Sequence, residues 1–479
     1  MPDSALEGGV PPQNSEVWEA VIGMEVHAQL ATRSKMFCDC SADYLAAQPN
    51  SSVCEVCLGM PGVLPVINQR AVELVVKTGL ALNCEIAAHT KFDRKNYFYP
   101  DLPKGYQISQ YDLPMCGRGR FEMGDRAVRI TRVHLEEDTG KLLHAGDALH
   151  TAEESLVDLN RSGVPLMEIV SEPDLRSAED SRNYAEGLRA LLRAIGASEA
   201  EMEKGQLRAE ANVSVRPAGG DQLGVKTELK NINSFRALQR AVDYEIRRQI
   251  EILEAGGVVV QETRGWSEAE QRTFPQRTKE YADDYRYFAE PDLPPLELDL
   301  AWVENLRALL PELPATRRRR LELQYQIPEY DAHQLTAETA TADLFEATVA
   351  AGAPAKQAAN WIIGTQPTLD AASLAGLIDM VVKGTINREQ GLLVLREAQS
   401  SGKGPAEIVR ERGLIQVSDL SALAEVVDRV VGDNPQAVAD FKSGKQQAAK
   451  ALLGKVKAAT GGTANMSVAR DLLMERLNR

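Results

Sequence analysis

AVIGMEVHAQL, residues 20–30, alternates between two kinds of residue with a period of two. That period puts Glu25, His27 and Gln29 on one face of a β-strand and Val26, Ala28 and Leu30 on the other. One face suits a core. The other sets a carboxylate, an imidazole and an amide side by side. ANVSVR at 211–216 repeats the strand pattern, and two helical segments accompany these strands. The helix expected near 177–195 has Ser177 as N-cap, Glu179 and Asp180 in its first turn, and Leu188, Leu191 and Leu192 at helical spacing. The second, NSFRALQRAVDYEIRRQIEILEAGG at 233–257, ends on Gly256 and Gly257. Strands mixed with helices and Gly/Pro turns predict an α+β domain over residues 18–300.

Beyond it the texture changes. The Pro-rich EPDLPPLELD (290–299) and PELP (311–314) interrupt the pattern, and strand signals fade after Tyr330. Ala-rich helical stretches follow, such as ATADLFEATVAAG (340–352) and SLAGLIDMVVKG (373–384). A break at Ser401–Pro405 separates an all-α domain over 301–404 from a small all-α tail over 405–479. With 479 residues, several domains are expected. The first residues, MPDSALEGGVPPQNSE, read as a disordered leader over 1–17 and lack the basic and apolar stretches of a signal peptide. Together with the lack of any long apolar run, this predicts a cytoplasmic protein with no membrane partner.

The net charge of -15 argues against a chain that wraps nucleic acid over most of its surface. A local exception lies at the carboxyl end. From residue 436 onward eight basic residues, from Lys442 to Arg479, face only Asp440, Asp471 and Glu475, so that the tail could touch RNA backbone.

Four of the six cysteines fall within residues 37–62, at Cys38, Cys40, Cys54 and Cys57. Two close pairs joined by a short loop match a closed tetrahedral zinc site, which leaves no place for a substrate. Unligated buried thiols are the alternative. In either case the cysteines are architectural, so the chemistry must be sought elsewhere.

No phosphate-binding glycine loop and no serine nucleophile elbow occurs, so metal and carboxylates would have to hold any nucleotide. In VPLMEIVSEPD (164–174) strand period places Glu168 between Leu166 and Val170, where a cation or hydrogen-bond donors must offset its burial. In RITRVHLEEDTGK (129–141) the same period groups Val133, Leu135 and Glu137 on one face and Arg132, His134 and Glu136 on the other. Glu137 is then the acid at the rim of an apolar surface. Glu25, His27, Glu137 and Glu168 would together supply the oxygen-rich ligand set that magnesium and a triphosphate require; the alternative is a set of ordinary strand acids and a core histidine.

FDRKNYFYPDLPKGYQISQYD (92–112) crowds six aromatic residues with Arg94, Lys95 and Lys104 in a chain only 5% aromatic. Such a mixture can stack a base and hold its phosphate, or pack an irregular loop against a core. The run Arg317–Arg320 reads as a solvated helix face, with RNA contact the alternative.

IGMEVHAQL, SKMFC, FDRKNYFYPDLPKGYQISQYD, HLEEDTGK, VDLNRSGVPLMEIVSEPD, ANVSVRP, ELKNINSF, QETR and DYRYFAEPDLPPL resemble, in order, the signatures of the B subunit of the bacterial glutamyl/aspartyl-tRNA amidotransferase. The resemblance extends from about residue 18 to the end. It implies a cradle-shaped, kinase-like domain with an antiparallel sheet, a helical domain, and a tail similar to the YqeY family, the last two engaging tRNA. It implies a glutamine-dependent carbon–nitrogen ligase that uses ATP to phosphorylate the side-chain carboxylate of Glu on tRNA(Gln) or Asp on tRNA(Asn). Ammonia from an amidase A subunit would then displace the phosphate. A small C subunit completes the complex, and the cognate synthetase is a further partner the resemblance admits. Carried over by motif, His27, Glu137 and Glu168 would ligate magnesium, with Glu25 close by, outside the ligand set or on a second cation. The cysteine loop matches the zinc knot of those members that have one. Glu210 stands where the family pattern has Asp, keeping the charge with a longer reach.

A stand-alone carboxylate–amine ligase would need no long helical arm with a basic end. A non-catalytic RNA adaptor would leave the acids and histidine on apolar strands unexplained.

Overall fold

The computed structural model describes residues 17–124, 126–144, 154–278, 285–414, 420–460 and 466–478. Apart from Val17, the leader expected over 1–17 lies outside them. The chain forms two compact units, one up to Thr316 and one from Arg317.

The first unit runs β1 (Trp18–Gln29), α1 (Gln69–Ala81), β2 (His89–Thr90), β3 (Asp93–Asn96), β4 (Tyr106–Ser109), β5 (Gly119–Met123), β6 (Arg126–Glu137), β7 (Lys141–His144), β8 (Ser155–Asp158), β9 (Pro165–Ser171), α2 (Ala178–Ala194), β10 (Leu207–Pro217), β11 (Thr227–Lys230), α3 (Phe235–Glu254), β12 (Glu262–Ser267), β13 (Arg272–Thr278), β14 (Phe288–Ala289), β15 (Leu296–Glu297) and α4 (Leu300–Ala308). Eight strands form the main sheet in the order β13-β12-β11-β10-β1-β9-β6-β5. Its neighbours are antiparallel except for β11 and β12, in keeping with the α+β expectation. A second sheet, β14-β3-β4, adjoins it.

The sheet is apolar on one face because the registers line up apolar residues. Ala209, Val26, Ile169 and Val133 form one cross-strand row, each 2% exposed or less. Full burial of a Val or Ile side chain contributes about 1.5–3 kcal/mol, so this row fixes the pairing. Leu188 and Leu192 of α2 and Leu238 and Val242 of α3 belong to the same core. Both helices begin as their sequences dictate. Ser177 accepts from the Asp180 amide at 3.0 Å, and Ser234 from the Ala237 amide at 3.1 Å. Gly256, at φ +74°, closes α3 in the left-handed conformation that glycine adopts without strain.

One irregularity bears on the site. In β6 the register with β9 slips by a residue between Ile130 and Arg132, a β-bulge. Past the bulge β6 has outrun β5; Val133 still exchanges backbone hydrogen bonds with Cys116, both 3.0 Å, and beyond it side chains of the neighbouring segment replace the missing strand. The Leu135 amide donates to Gln110 Oε1 at 3.1 Å, and Gln107 Nε2 donates to the Glu137 carbonyl at 2.7 Å.

At the other end of the sheet a buried carboxylate joins α3 to the strands. Glu245 is fully buried and accepts from Thr227, Thr273, Gln249 and Arg248 at 2.7 to 3.1 Å. Burial opposes its charge, but these donors outweigh burial and hold its pKa below the ordinary 4.5. Its contribution to stability is therefore complete above that pH and is lost as pH falls through the lower, folded-state value. Glu245→Ala leaves the Arg248 charge with no carboxylate at this position and is expected to cost about 3–5 kcal/mol, read as a fall in the urea midpoint at pH 7. An unchanged midpoint would show that the network does not brace α3.

The second unit contains α5 (Pro314–Tyr325), which begins at the unit boundary, α6 (Glu329–Thr336), α7 (Thr339–Ala350), α8 (Ala355–Thr365), α9 (Ala371–Val382), α10 (Arg388–Ser401), α11 (Pro405–Glu411), α12 (Leu420–Gly432), α13 (Pro435–Lys442), α14 (Gln447–Ala459) and α15 (Met466–Leu477). The expected boundaries shift with the packing. Val303 and Leu306 of α4 belong to the first core, so the first unit extends past 300. Ile408 and Val409 of α11 pack with Leu321 to Ala398, and a separate cluster runs from Leu423 to Leu477, so the 404/405 boundary falls inside the middle cluster. Nor is the Arg317–Arg320 run a plain solvated face. Arg317 binds Asp343 at 2.7 Å, and both Arg317 and Arg320 hold Glu346 of α7.

Candidate active site

The polar face of the sheet has the same registers as the apolar one. His134 of β6, Glu168 of β9, His27 of β1 and Arg208 of β10 stand opposite one another in one row. The next row holds Arg132, Val170, Glu25 and Glu210, and the row on the other side Glu136, Leu166 and Gln29. Four strands thus deliver acids and imidazoles to one patch.

At its centre His27 Nε2 lies 3.6 Å from Glu168 Oε2 and 3.7 Å from Glu136 Oε1. One ligand atom from each of these three residues lies within 4.8 Å of the others. Both His–Glu separations are below the roughly 4.2 Å that two ligands of one magnesium can span, and the donor set suits a hard cation. His134 holds the carboxylates from the far side, its Nε2 3.1 Å from Glu168 Oε2 and 3.7 Å from Glu136 Oε2. Ser109 Oγ donates to Glu136 Oε2 at 3.1 Å. Burial opposes a charge on either imidazole, yet the Glu168 and Glu136 carboxylates raise both pKa values, that of His134 to about 9. The same pairing keeps Glu168 well below the usual carboxylate range despite its burial. The Nδ1 atoms of both histidines are buried and have no hydrogen-bond partner among the described residues.

A second group of acids lies beside the first. Glu25, Glu210 and Glu228 each bring an oxygen within 4.8 Å of the others. Asn212 Nδ2 donates to Glu25 at 2.8 Å, Lys230 Nζ to Glu210 at 2.6 Å, and Thr263 Oγ1 to Glu228 at 2.8 Å. Glu210, which stands where the family pattern has Asp, thus has an oxygen in the group. A cavity of about 330 Å³ adjoins these acids, lined by Gly23, Glu25, Val170, Asn212, Ser214 and Lys226 among others.

Of the residues singled out in the sequence, His27 and Glu168 come together with Glu25 alongside, but Glu137 does not join them. Successive strand residues project to opposite faces, so Glu136 takes the place beside His27 and Glu137 turns away. Glu137 is 3% exposed, accepts from the Ile108 amide at 2.9 Å and pairs with Lys104. It lines a different cavity, of about 200 Å³, with Phe37, Cys57, Tyr106 and Gly163. Sequence alone assigns no ligand role to Glu136, His134 or Glu228. Strand period does group His134 with Glu136, but the residue opposite them is set by β9, which local sequence does not specify. Asp138, 2% exposed, is fixed by Gln29 at 2.8 Å and Arg208 at 3.0 Å and anchors the neighbouring loop.

The four loop cysteines converge. Sulfurs of Cys38, Cys40, Cys54 and Cys57 lie within 4.8 Å of one another, and those of Cys54 and Cys57 are 3.9 Å apart. Zn–S bonds of about 2.3 Å in a tetrahedron put sulfurs about 3.8 Å apart, so the set fits zinc. A hydrogen bond from the Cys38 thiol holds Cys57 well below the usual thiol range against the effect of burial. Lys35, 1% exposed, brings its ammonium to 3.6 Å from Cys57 Sγ.

Residues 20–304 match the family described as GatB/GatE catalytic domain, and residues 364–477 the one described as GatB domain. A relative from Moorella thermoacetica is 52% identical over 96% of this chain and 100% of its own length. Relatives from Thermomicrobium roseum and Carboxydothermus hydrogenoformans are 51% and 49% identical, each over 96% of this chain and 99% of their own. All three are named as the B subunit of an aspartyl/glutamyl-tRNA(Asn/Gln) amidotransferase. The chain belongs to that family. In this amidotransferase B-subunit family member the row of β1, β6 and β9 residues lies in the part that matches the catalytic domain. No helix among the described residues is long and apolar enough to cross a membrane.

Proposed function

We propose that this chain uses ATP to phosphorylate the side-chain carboxylate of Glu esterified to tRNA(Gln), of Asp esterified to tRNA(Asn), or of both, and that ammonia then converts the acyl phosphate to the amide. The names of its relatives support the overall reaction. The observation that carries the phosphoryl step is the convergence of His27, Glu136 and Glu168 on one polar sheet face. These residues would hold a magnesium ion, and Glu25, Glu210 and Glu228 a second cation. A bound divalent ion supplies charge neutralisation of the triphosphate. The cavity beside Glu25 is the place for the nucleoside. His134 and Ser109 orient the two carboxylates, which keeps the ligand geometry fixed while reactants change.

A carboxylate is a poor acyl donor. In the first step its oxygen attacks the γ-phosphorus, the bond to the bridging oxygen breaks, and ADP leaves. Ammonia then adds to the acyl carbon, the bond from that carbon to the phosphate oxygen breaks, and inorganic phosphate departs with the proton that ammonia loses. No protein nucleophile is required; alignment and charge neutralisation suffice. An amidase A subunit would supply the ammonia and a small C subunit would complete the assembly. The second unit, with its basic end, would hold the tRNA body. Zinc at the cysteine loop would be structural.

The reconstituted three-subunit complex, given glutamine, ATP and Glu-tRNA(Gln) or Asp-tRNA(Asn), tests this directly. ADP and amide should form together and only in the presence of the charged tRNA. Amide formation without ATP, or no ATP cleavage with either tRNA, would overturn the reading.

A further inference from the structure

A row of rings beside the carboxylates is not used by the chemistry above. The chain has 12 tyrosines, and five of them join in one continuous array. Ring centroids are 6.0 Å apart for Tyr99 and Tyr97, 5.9 Å for Tyr97 and Tyr285, and 6.0 Å for Tyr285 and Tyr287. Tyr287 then stacks on Tyr111 at 4.3 Å with planes 8° apart. The array is not simply core. Tyr99 and Tyr111 at its ends are 46% and 47% exposed, and the adjacent Phe98 is 81% exposed. Large rings left in water in one continuous patch mark a surface that meets something else.

Two cations border the array with no ion-pair partner among the described residues. Lys95 Nζ lies 4.8 Å from the Tyr285 centroid and 5.9 Å from that of Tyr97, and no carboxylate among the described residues comes within ion-pair distance of it. Exposed Arg286, between Tyr285 and Tyr287, likewise has no ion pair among the described residues. Neighbouring cations are already engaged, Arg94 with Glu290 at 2.7 Å and Lys91 with Asp93 and Asp112. Burial disfavours the Lys95 charge, but Glu136, Tyr287 and Glu168 raise its pKa, so it stays an ammonium. The array also connects with the site. Tyr97 Oη donates to Gln107 Oε1 at 3.1 Å, and Gln107 in turn holds the Glu137 carbonyl, next to Glu136.

We infer that this array is the seat of the single-stranded 3′ end of the tRNA, with terminal bases stacked on Phe98, Tyr99 and Tyr111 and backbone phosphates facing Lys95 and Arg286. The inference rests on the reaction proposed above and assigns the part of the site that grips its macromolecular substrate. Stacking on rings with flanking cations suits unpaired nucleotides, because every base has a face to stack. An open array several rings long exceeds what one mononucleotide would cover, whereas the cavity beside Glu25 is of a size to enclose one. An ester at the terminal ribose would then lie close to Glu136 and Glu168, where phosphorylation is placed.

The probe is Glu-tRNA(Gln) with 2-aminopurine as its 3′-terminal base, titrated with the full three-subunit complex. Stacking should quench its fluorescence with the wild-type protein, and Phe98→Ala with Tyr99→Ala, or Tyr111→Ala, should remove the quench. The same variants should raise KM for charged tRNA by roughly 5- to 150-fold, with kcat nearly unchanged. Tyr99→Phe and Tyr111→Phe, which keep a ring, should restore both. If quench and KM are unchanged in the alanine variants while wild-type ATP cleavage remains tRNA-dependent, the inference falls and the reaction stands. If the variants instead lose their partner subunits on gel filtration with the quench intact, the surface is a protein contact and the inference is equally overturned. Absence of tRNA-dependent ATP cleavage in the wild type would overturn the reaction itself and this inference with it.

Discussion

Glu136→Ala is expected to lower tRNA-dependent ATP cleavage by about 10²- to 10³-fold while glutamine hydrolysis by the partner subunit persists. The magnitude is that of removing one fixed electrostatic group from a site where charge develops. Glu168→Ala should behave alike, since Glu168 Oε2 is shared by His27 at 3.6 Å and His134 at 3.1 Å. Glu137→Ala discriminates between the two adjacent acids. Glu137 is engaged by Lys104 and the Ile108 amide on the opposite side of the strand, so divalent-ion binding should survive its loss. Manganese titration followed by electron paramagnetic resonance reads this without reference to turnover. If Glu137→Ala abolished manganese binding and Glu136→Ala spared it, the assignment by register would be wrong and the motif-based one right.

The second large effect concerns the cysteine loop. Freshly purified protein should contain about one equivalent of zinc per chain by elemental analysis. Removing it by chelation, or changing Cys54 and Cys57 together to serine, should open residues 37–62 to limited proteolysis while the eight-stranded sheet stays resistant. Ligation energies of about 10–16 kcal/mol, as in zinc-finger peptides, become local folding energy at such a site. The effect should also reach the neighbouring cavity, because Cys57 and Glu137 both line it. Protein with no zinc, and serine variants as resistant as the parent, would refute a metal role for these thiols.

Much of this site is legible without coordinates. Strand alternation exposes the face shared by Glu25 and His27, cysteine spacing picks out the four thiols that converge, and the serine cap of α2 is plain. What fails is non-local. Alternation divides Glu136 from Glu137, but choosing between them needs the partner strand, and the pairing of His134 with Glu168 is settled by packing 34 residues away in sequence. Glu228 lies on a strand of four residues, too short to show a period. The domain boundary moves for a related reason. The Pro-rich stretch at 290–299 interrupts the pattern of the sequence, yet Leu293 is buried in the first core and Glu290 in a pair with Arg94. Composition records where regular structure stops, not where packing does.

The extra residue between Ile130 and Arg132 sets the phase of everything after it in β6. Drawing that residue into the ladder, with Ile130 still opposite Ser171, would set Thr131 against Val170 and turn the downstream segment over. Each of the two compartments flanking the strand would then receive the side chain meant for the other, with Glu137 brought toward His27 and Glu136 toward Lys104. A defect of this kind would leave composition and net charge almost untouched and still disable both compartments at once. The register of this strand is therefore constrained as tightly as the identity of its acids.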